Sequence, residues 1–234
     1  IGGKIGYSGD RFSISANAVA YCYDLLNGIK RYDYNMFQQY DGWYGNASID
    51  VMLTLGHIRL FGEIASDIKG SIAVITGATY TPSSNFEIGG AFRHYPYKYI
   101  ATYSSAYSSS SGNYNQDGVI ISILYKPNYN WKITLWCDAT YYPWARYQIP
   151  YSSASLKTKS QIEYNIAPLR VYLKGGYSLN THFDNRITNY IQHKSSLAIG
   201  TQYNFMCGLY ISARADGNII YECSRNSESE YKYG

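Results

Sequence analysis

Charged side chains recur at alternate positions within short apolar segments: Arg59, Glu63, Glu87, Arg93, Lys132, Asp138, Lys159, Glu163, Arg170, Lys174 and Arg214. Mixed-sign charges spaced in this way cannot face hydrocarbon, but they can pair across strands or line a wet lumen. Two chemistries follow: a salt-bridged, solvated wall, or a path selective for an ion or a substrate. The bases outnumber the acids slightly, so an open path so lined would prefer anions weakly.

Catalytic chemistry finds no comparable pattern. His57, His94, His182 and His193 show neither H-x-H nor H-E-x-x-H spacing. There is no G-x-S-x-G elbow and no phosphate-cradling glycine loop, and the carboxylates are spread singly. No catalytic or metal-ligating residue is assigned, no cofactor is expected, and the chain is read as a non-enzyme. Cys22, Cys137, Cys207 and Cys223 form no C-x-x-C and act as small hydrophobes. A two-residue turn at Asp216-Gly217 would pair Cys207 with Asn226 rather than with Cys223, so no disulfide is expected.

These charges must be positioned by β-strands. In Trp131 to Tyr141, Ile133, Leu135, Cys137, Ala139 and Tyr141 share one face, and Lys132, Thr134, Trp136, Asp138 and Thr140 share the other. A side-chain period of two belongs to a strand between an apolar and a polar environment. The split recurs in Leu169, Val171 and Leu173, in Leu209, Ile211 and Ala213, and in Phe12, Ile14, Ala16, Ala18 and Ala20. It recurs again in Ile49, Val51, Leu53 and Leu55, in Ile58, Leu60 and Ile64, and in Phe86, Ile88 and Phe92. Strands are expected at 2–7, 11–22, 46–55, 58–66, 71–80, 85–93, 118–126, 130–141, 157–166, 169–178, 187–202, 206–215 and 219–226. A fourteenth could lie at Tyr99–Tyr107, with Ser108–Ser111 as a flexible tip.

The connections carry a second signal. Every odd-numbered one is short, whereas the even-numbered ones include all the long loops, 23–45, 94–117 and 142–156. Soluble sandwiches have no reason for this alternation, but outer-membrane barrels do. The short turns at Asp10, His57, Pro82, Asn128 and Pro168 are expected at one rim, and Tyr34, Asp67, Ser110, Tyr147 and Asp216 at the other. Aromatics at strand ends (Tyr21, Tyr23, Trp43, Tyr44, Tyr141, Tyr142, Trp144 and Tyr147) suit the two membrane interfaces. The 234 residues hold 29 tyrosines, and only 15% of residues are charged. No apolar run reaches the length of a spanning helix of about 18 residues. The net charge of +4 is too small and dispersed to support nucleic-acid binding.

The expected fold is all-β, an antiparallel up-and-down transmembrane β-barrel in which 1–234 form one barrel region of about 13–14 strands. The C-terminal stretch Glu230–Gly234 lacks the look of a closing strand, and the chain is expected to be a portion of a longer protein.

One stretch goes beyond pattern. Phe92-Arg-His-Tyr-Pro-Tyr-Lys-Tyr-Ile-Ala-Thr-Tyr103 is followed by Asn115-Gln-Asp-Gly118, by Pro127-x-x-x-Trp131 and by Asp138-x-x-x-x-Pro143-Trp144. Leu60-Phe-Gly-Glu-Ile-Ala65 stands upstream. Residues 58–178 thereby resemble the C-terminal barrel region of Bacteroidetes outer-membrane proteins with a helix-hairpin-helix domain. Gln116 departs from that pattern, which has an acidic residue there. The resemblance implies an integral outer-membrane protein whose helix-hairpin-helix part is similar to DNA-uptake modules. No residue of 1–234 matches that part, so no DNA-binding residue is carried over.

Three functions remain open: a porin-like transport or channel wall, a non-conducting outer-membrane scaffold docking partner proteins through its long loops, and a soluble secreted carbohydrate-binding β-protein. Under the first two, the partners are the lipid bilayer and lipopolysaccharide, and the location is the bacterial outer membrane.

Overall fold

A period of two commits a segment to a strand, and antiparallel neighbours then satisfy its backbone groups. The computed structural model describes residues 1–23, 30–38, 42–184, 187–205, 208–224 and 227–233. They form a sheet of thirteen strands whose spatial order is the chain order. The strands are β1 (Gly2–Ser8), β2 (Phe12–Tyr23), β3 (Gly42–Leu55), β4 (Ile58–Asp67), β5 (Ile72–Ser83) and β6 (Phe86–Tyr95). They continue with β7 (Gln116–Tyr125), β8 (Trp131–Tyr142), β9 (Ser153–Ile166), β10 (Leu169–Asp184), β11 (Ile187–Asn204), β12 (Tyr210–Ser224) and β13 (Ser227–Tyr233). The defined registers are antiparallel, and no helix occurs among the described residues. Among those residues no pairing joins β1 to β13, so the sheet is not closed.

The first eleven strands lie where the alternation predicts them, with some ends extended, as in β3, β9 and β10, and others one residue shorter. The twelfth corrects the sequence reading. No turn forms at Asp216-Gly217-Asn218. β12 runs straight through, with Asp216 opposite Ala198, Gly217 opposite Leu197 and Asn218 opposite Ser196. The physical reason is visible in the parity: Leu209, Ile211, Ala213, Ala215, Gly217, Ile219 and Tyr221 keep one apolar face across the supposed turn. Pairing along all of β11 outweighs the local turn preference of Asp-Gly. Asp216 is therefore mid-strand rather than at a rim, and Glu230–Tyr233 belong to β13 instead of trailing. Cys207 lies outside the described residues, as do 24–29 and 39–41 of the first long loop.

The chain divides into two compact units. The first comprises Ile1–Tyr80, Gly90–Val119 and Thr140–Ser153, and the second Thr81–Gly89, Ile120–Ala139 and Ala154–Gly234. In the first, Ile5, Ala16, Ile49, Ile64 and Val74 form one row across β1 to β5. The next row, on the opposite face, is Gly6, Ser15, Asp50, Glu63 and Ile75. In the second unit, Ile162, Leu173, Ile199 and Ala215 are one apolar row across β9 to β12, and Glu163, Tyr172, Gly200 and Arg214 are a polar one. Opposed residues of a ladder project to the same side, so each row marks one face.

Glycine on the polar face lets large neighbours lie flat. A Cβ built on Gly77 would stand 2.5 Å from both the Gly90 carbonyl oxygen and the Phe61 ring, whereas one on Gly3 would meet nothing. Gly77→Ala is therefore expected to destabilise the fold by about 1–3 kcal/mol, since a backbone oxygen cannot step aside. Gly3→Ala should stay within about 0.5 kcal/mol of the parent. Urea titration of the two variants in detergent micelles measures the difference, and equal effects would contradict the close approach at Gly77.

Candidate functional site

At several positions the burial pattern of the sheet is inverted. Large apolar side chains are exposed, as at Ile64 (60%), Leu197 (59%), Ile49 (56%) and Ile199 (54%). Three of the charges expected on the polar face are buried, Asp138 at 0%, Arg93 at 1% and Glu163 at 6%, while Arg59, Glu87, Lys159, Arg170 and Arg214 are exposed. A charge withdrawn from solvent needs partners, and the polar face supplies them.

In the first unit, Asp50 accepts hydrogen bonds from Ser15 Oγ at 2.6 Å and Asn17 Nδ2 at 2.8 Å, and Lys4 Nζ lies 3.9 Å away. Arg93 donates to Thr140 Oγ1 and lies 5.1 Å from the Tyr107 ring. Its guanidinium rests over Gly118, where a Cβ would come within 2.5 Å of Cζ. The glycine of the Asn115-Gln-Asp-Gly118 segment thus makes room for the arginine of Phe92-Arg-His-Tyr.

The same face is covered by a loop. Residues 96–115 form neither a strand nor a loose tip, which corrects two expectations; they fold back onto β2 to β5. Asp67, 6% exposed, accepts from the Lys69 and Ser71 amides at 2.9 and 2.8 Å through Oδ1 and from the Ile100 amide at 3.2 Å through Oδ2. Asn46 Nδ2 donates to the Ile100 carbonyl at 2.7 Å. Tyr99 buries its ring against Ala73 and Tyr95, with Ala65, Ala101 and Ala106 around them. Burial, reinforced by the carboxylates of Glu63 and Asp67, pushes the Tyr99 hydroxyl up to about 12.

The serine run is tied down by Gln116, which is fully buried. Its amide nitrogen shares its protons among Ser108 Oγ at 2.6 Å, Ser110 Oγ at 2.7 Å and the Gly112 carbonyl at 2.7 Å, while its oxygen accepts from the Ser109 amide at 3.0 Å. A carboxylate at this position would have no proton to donate to these oxygens.

The described parts of the three long loops are knitted together in this unit. Asn115, at φ 55°, donates to the Trp144 carbonyl at 2.8 Å and accepts from the Trp144 amide at 2.7 Å. Asparagine tolerates the left-handed region better than most residues. Trp144 stacks on Tyr97 with centroids 5.1 Å apart, meets Phe37 edge-on at 5.5 Å, and donates its indole N–H to the Asp33 carbonyl at 2.9 Å. Tyr34 and Tyr147 meet edge-to-face at 5.4 Å.

The strand-end aromatics divide between the faces. Trp43, Tyr141 and Tyr147 are exposed. Tyr21, Tyr44 and Tyr142 are buried on the polar face, where Tyr21 stacks on Tyr44 at 5.3 Å and meets Tyr23 at 5.5 Å and the loop's Tyr103 at 4.9 Å. Parity separates them, since Tyr21, Tyr23 and Tyr44 fall in register with the polar rows of β2 and β3. Arg146 packs 3.8 Å over the Tyr142 ring and donates from Nε to Ser153 Oγ at 2.9 Å, and burial draws its pKa down.

In the second unit, Arg170 pairs with Glu163 at 2.9 Å and Arg214 with Asp216 at 2.6 Å. Lys159 Nζ lies 5.2 Å over the Trp136 ring and Lys174 Nζ 4.8 Å over Tyr172, whose ring lies across Gly200. Arg59 and Glu87 are exposed, and Glu63 and Lys132 half-buried. The register adds polar-face charges that sequence reasoning missed: Lys4, Asp50, Lys157, Lys194 and Asp216. Lys157 shares parity with Lys159 and was legible; Asp216 was hidden by its misread turn. Histidines do not gather: His94 Nδ1 lies 2.5 Å from Asp117, and His193 Nδ1 lies 2.7 Å from the Tyr177 hydroxyl. Among the described residues no group of three His, Cys, Asp or Glu side chains could hold a metal ion.

In comparison with known proteins, no family model matches the chain and no curated protein sequence matches it.

Gln116→Ala is expected to free Ser108–Gly112, costing about 1–3 kcal/mol through its lost hydrogen bonds; faster amide exchange confined to 108–112 would show it, and unchanged protection would refute the tether. Tyr99 titration supplies a second test. Free tyrosine ionises near pH 10, so the folded state, with its pKa near 12, holds the proton longer than the unfolded one. Stability from this group is present below about pH 10 and lost as pH rises toward about 12. Tyr99→Phe should flatten the fall in stability between those values in alkaline denaturation, and an unchanged slope would refute it.

Proposed function

We propose that this chain forms part of the wall of a bacterial outer-membrane β-barrel, its apolar face in lipid and its charged face lining a wetted interior, and that it serves the passage of small anionic solutes. One observation carries the reading: isoleucines and leucines are exposed on one face while Arg93, Asp138 and Glu163 are buried on the other. A soluble sheet arranges its faces the opposite way. Lipid-facing and lumen-facing residues of a membrane barrel alternate as these do. On this reading the apolar rows contact the bilayer and lipopolysaccharide. The resemblance of residues 58–178 to Bacteroidetes outer-membrane proteins with a helix-hairpin-helix domain suits that location and would connect the barrel to DNA uptake.

Residues 96–115 would then narrow the interior, because they lie on the charged face of β2 to β5. This favours a second reading, a non-conducting scaffold that docks partner proteins on its knitted loops.

Planar-bilayer recordings on the full-length protein test both. Passage predicts a small, anion-preferring conductance that grows in Gln116→Ala. A cation-selective pore would overturn the charge reading, and silence in both proteins together with a stably co-purifying partner would favour the scaffold. The faces have their own test. Leu135→Arg should cost roughly 2–4 kcal/mol near the bilayer midplane, whereas Thr134→Arg on the polar face should be nearly neutral. Refolding titrations in lipid vesicles measure both, and equal penalties would contradict the membrane placement.

A further inference from the structure

The registers of β9, β10 and β11 place nine polar-face positions in a three-by-three grid. Its rows are Lys157, Ser178, Lys194; then Lys159, Gly176, Ser196; then Gln161, Lys174, Ala198. Gly176 stands at the centre and has no side chain. Lys159 flanks it on the neighbouring strand, Lys174 precedes it by two residues, and Lys157 and Lys194 stand at two corners. With strands about 4.8 Å apart and same-face residues about 6.6 Å apart along a strand, all four lysine positions lie within about 10 Å of the central glycine.

All nine residues line one open cavity of about 820 Å³. Lys159, Lys174 and Lys194 have no carboxylate within ion-pair distance among the described residues. The acids nearest in register are engaged by other groups: Glu163, diagonal to Lys174, by Arg170 and Gln161, and Asp216 by both Nε and a terminal nitrogen of Arg214. Two ammonium groups are held in place: Lys159 stands over Trp136, and Lys174 over a Tyr172 ring that lies across Gly200. Like charges so close together repel, so Lys159, Lys174 and Lys194 are electrostatically unbalanced as the protein alone presents them.

We infer that this lysine-lined cavity around Gly176 is a binding site for a polyvalent oxyanion of the oligophosphate class. Several separated ammonium groups offer point charges to several anionic groups at once, as phosphate binding by lysine requires, whereas a carboxylate is better matched by the arginine fork that Asp216 occupies here. Ser178 and Ser196 add neutral hydrogen-bonding groups, and Ser196 Oγ reaches over Gly176, 2.5 Å from where a Cβ would stand, so the missing side chain admits a hydroxyl to the centre of the grid. The inference rests on the reading that the charged face is wetted, and gives the proposed anion preference a located site.

Isothermal titration of the full chain in detergent micelles with tripolyphosphate tests it, with heat-modifiable migration reporting the fold of every variant. The expected result is saturable one-to-one binding that weakens with salt. Lys159→Gln, Lys174→Gln and Lys194→Gln should each weaken it about tenfold, and the loop variant Lys69→Gln should not change it. Gly176→Val keeps every charge but displaces Ser196 Oγ from the centre of the grid, and should weaken binding as well. Folded lysine variants that bind like the parent, or an equal loss in Lys69→Gln, would overturn the site. So would acetate binding as tightly as tripolyphosphate. Binding in micelles without conductance in bilayers would refute the passage and leave the site standing, and conductance without binding would do the reverse.

Discussion

Strand register is the constraint on which the rest of this structure depends. Because successive side chains point to opposite faces, a slip of one residue would exchange the apolar and charged sets of a whole strand. The pairing of Ile49 with Ile64 and of Asp50 with Glu63 therefore decides two environments at once. Where Leu173 meets Ile162 and Ile199, the adjacent Tyr172 must meet Glu163 and Gly200. Arg93, Asp138 and Glu163 are buried while isoleucines and leucines of the apolar rows are exposed, and that inversion supports the functional reading.

A buried polar face is stable only if its groups find partners, and the loops supply many of them. Asp67 closes the turn after β4 and holds the Ile100 amide, so one carboxylate joins a hairpin to the 96–115 segment. Gln116 and Asn115 act similarly, each using both ends of its amide on loop groups. Glycine complements them. Gly118 admits the Arg93 guanidinium, Gly77 admits the Phe61 ring, and Gly200 admits Tyr172, each by lacking the Cβ that would collide. Large polar and aromatic groups can then lie along the sheet, and at Gly176 the same absence admits Ser196 Oγ among the lysines.

Legibility differed between strands and loops for a physical reason. Alternation is local, so Ile133, Leu135 and Cys137 against Lys132, Thr134 and Asp138 disclosed β8 without any tertiary contact. Asp-Gly at 216–217 misled because turn preference is also local, while the β11 pairing that overrides it depends on residues some twenty positions away. The unbroken parity from Leu209 to Tyr221 was the signal that could have corrected it. Tyr21 and Tyr44 looked like interface anchors by type and position. Register sets them opposite one another on the polar face, and Tyr103, which meets Tyr21 edge-on, arrives from a loop whose path no periodicity describes.

By itself, then, the sequence determined an all-β chain of antiparallel neighbours and the alternating faces of its strands, because a period of two and short connections leave few alternatives. Only the tertiary structure decided that residues 96–115 cover the polar face, that three loops interlock through Trp144 and Asn115, and that four lysines from three strands surround Gly176. Those arrangements depend on register and on side chains meeting across long stretches of chain, and nothing in the spacing of neighbouring residues encodes such distances.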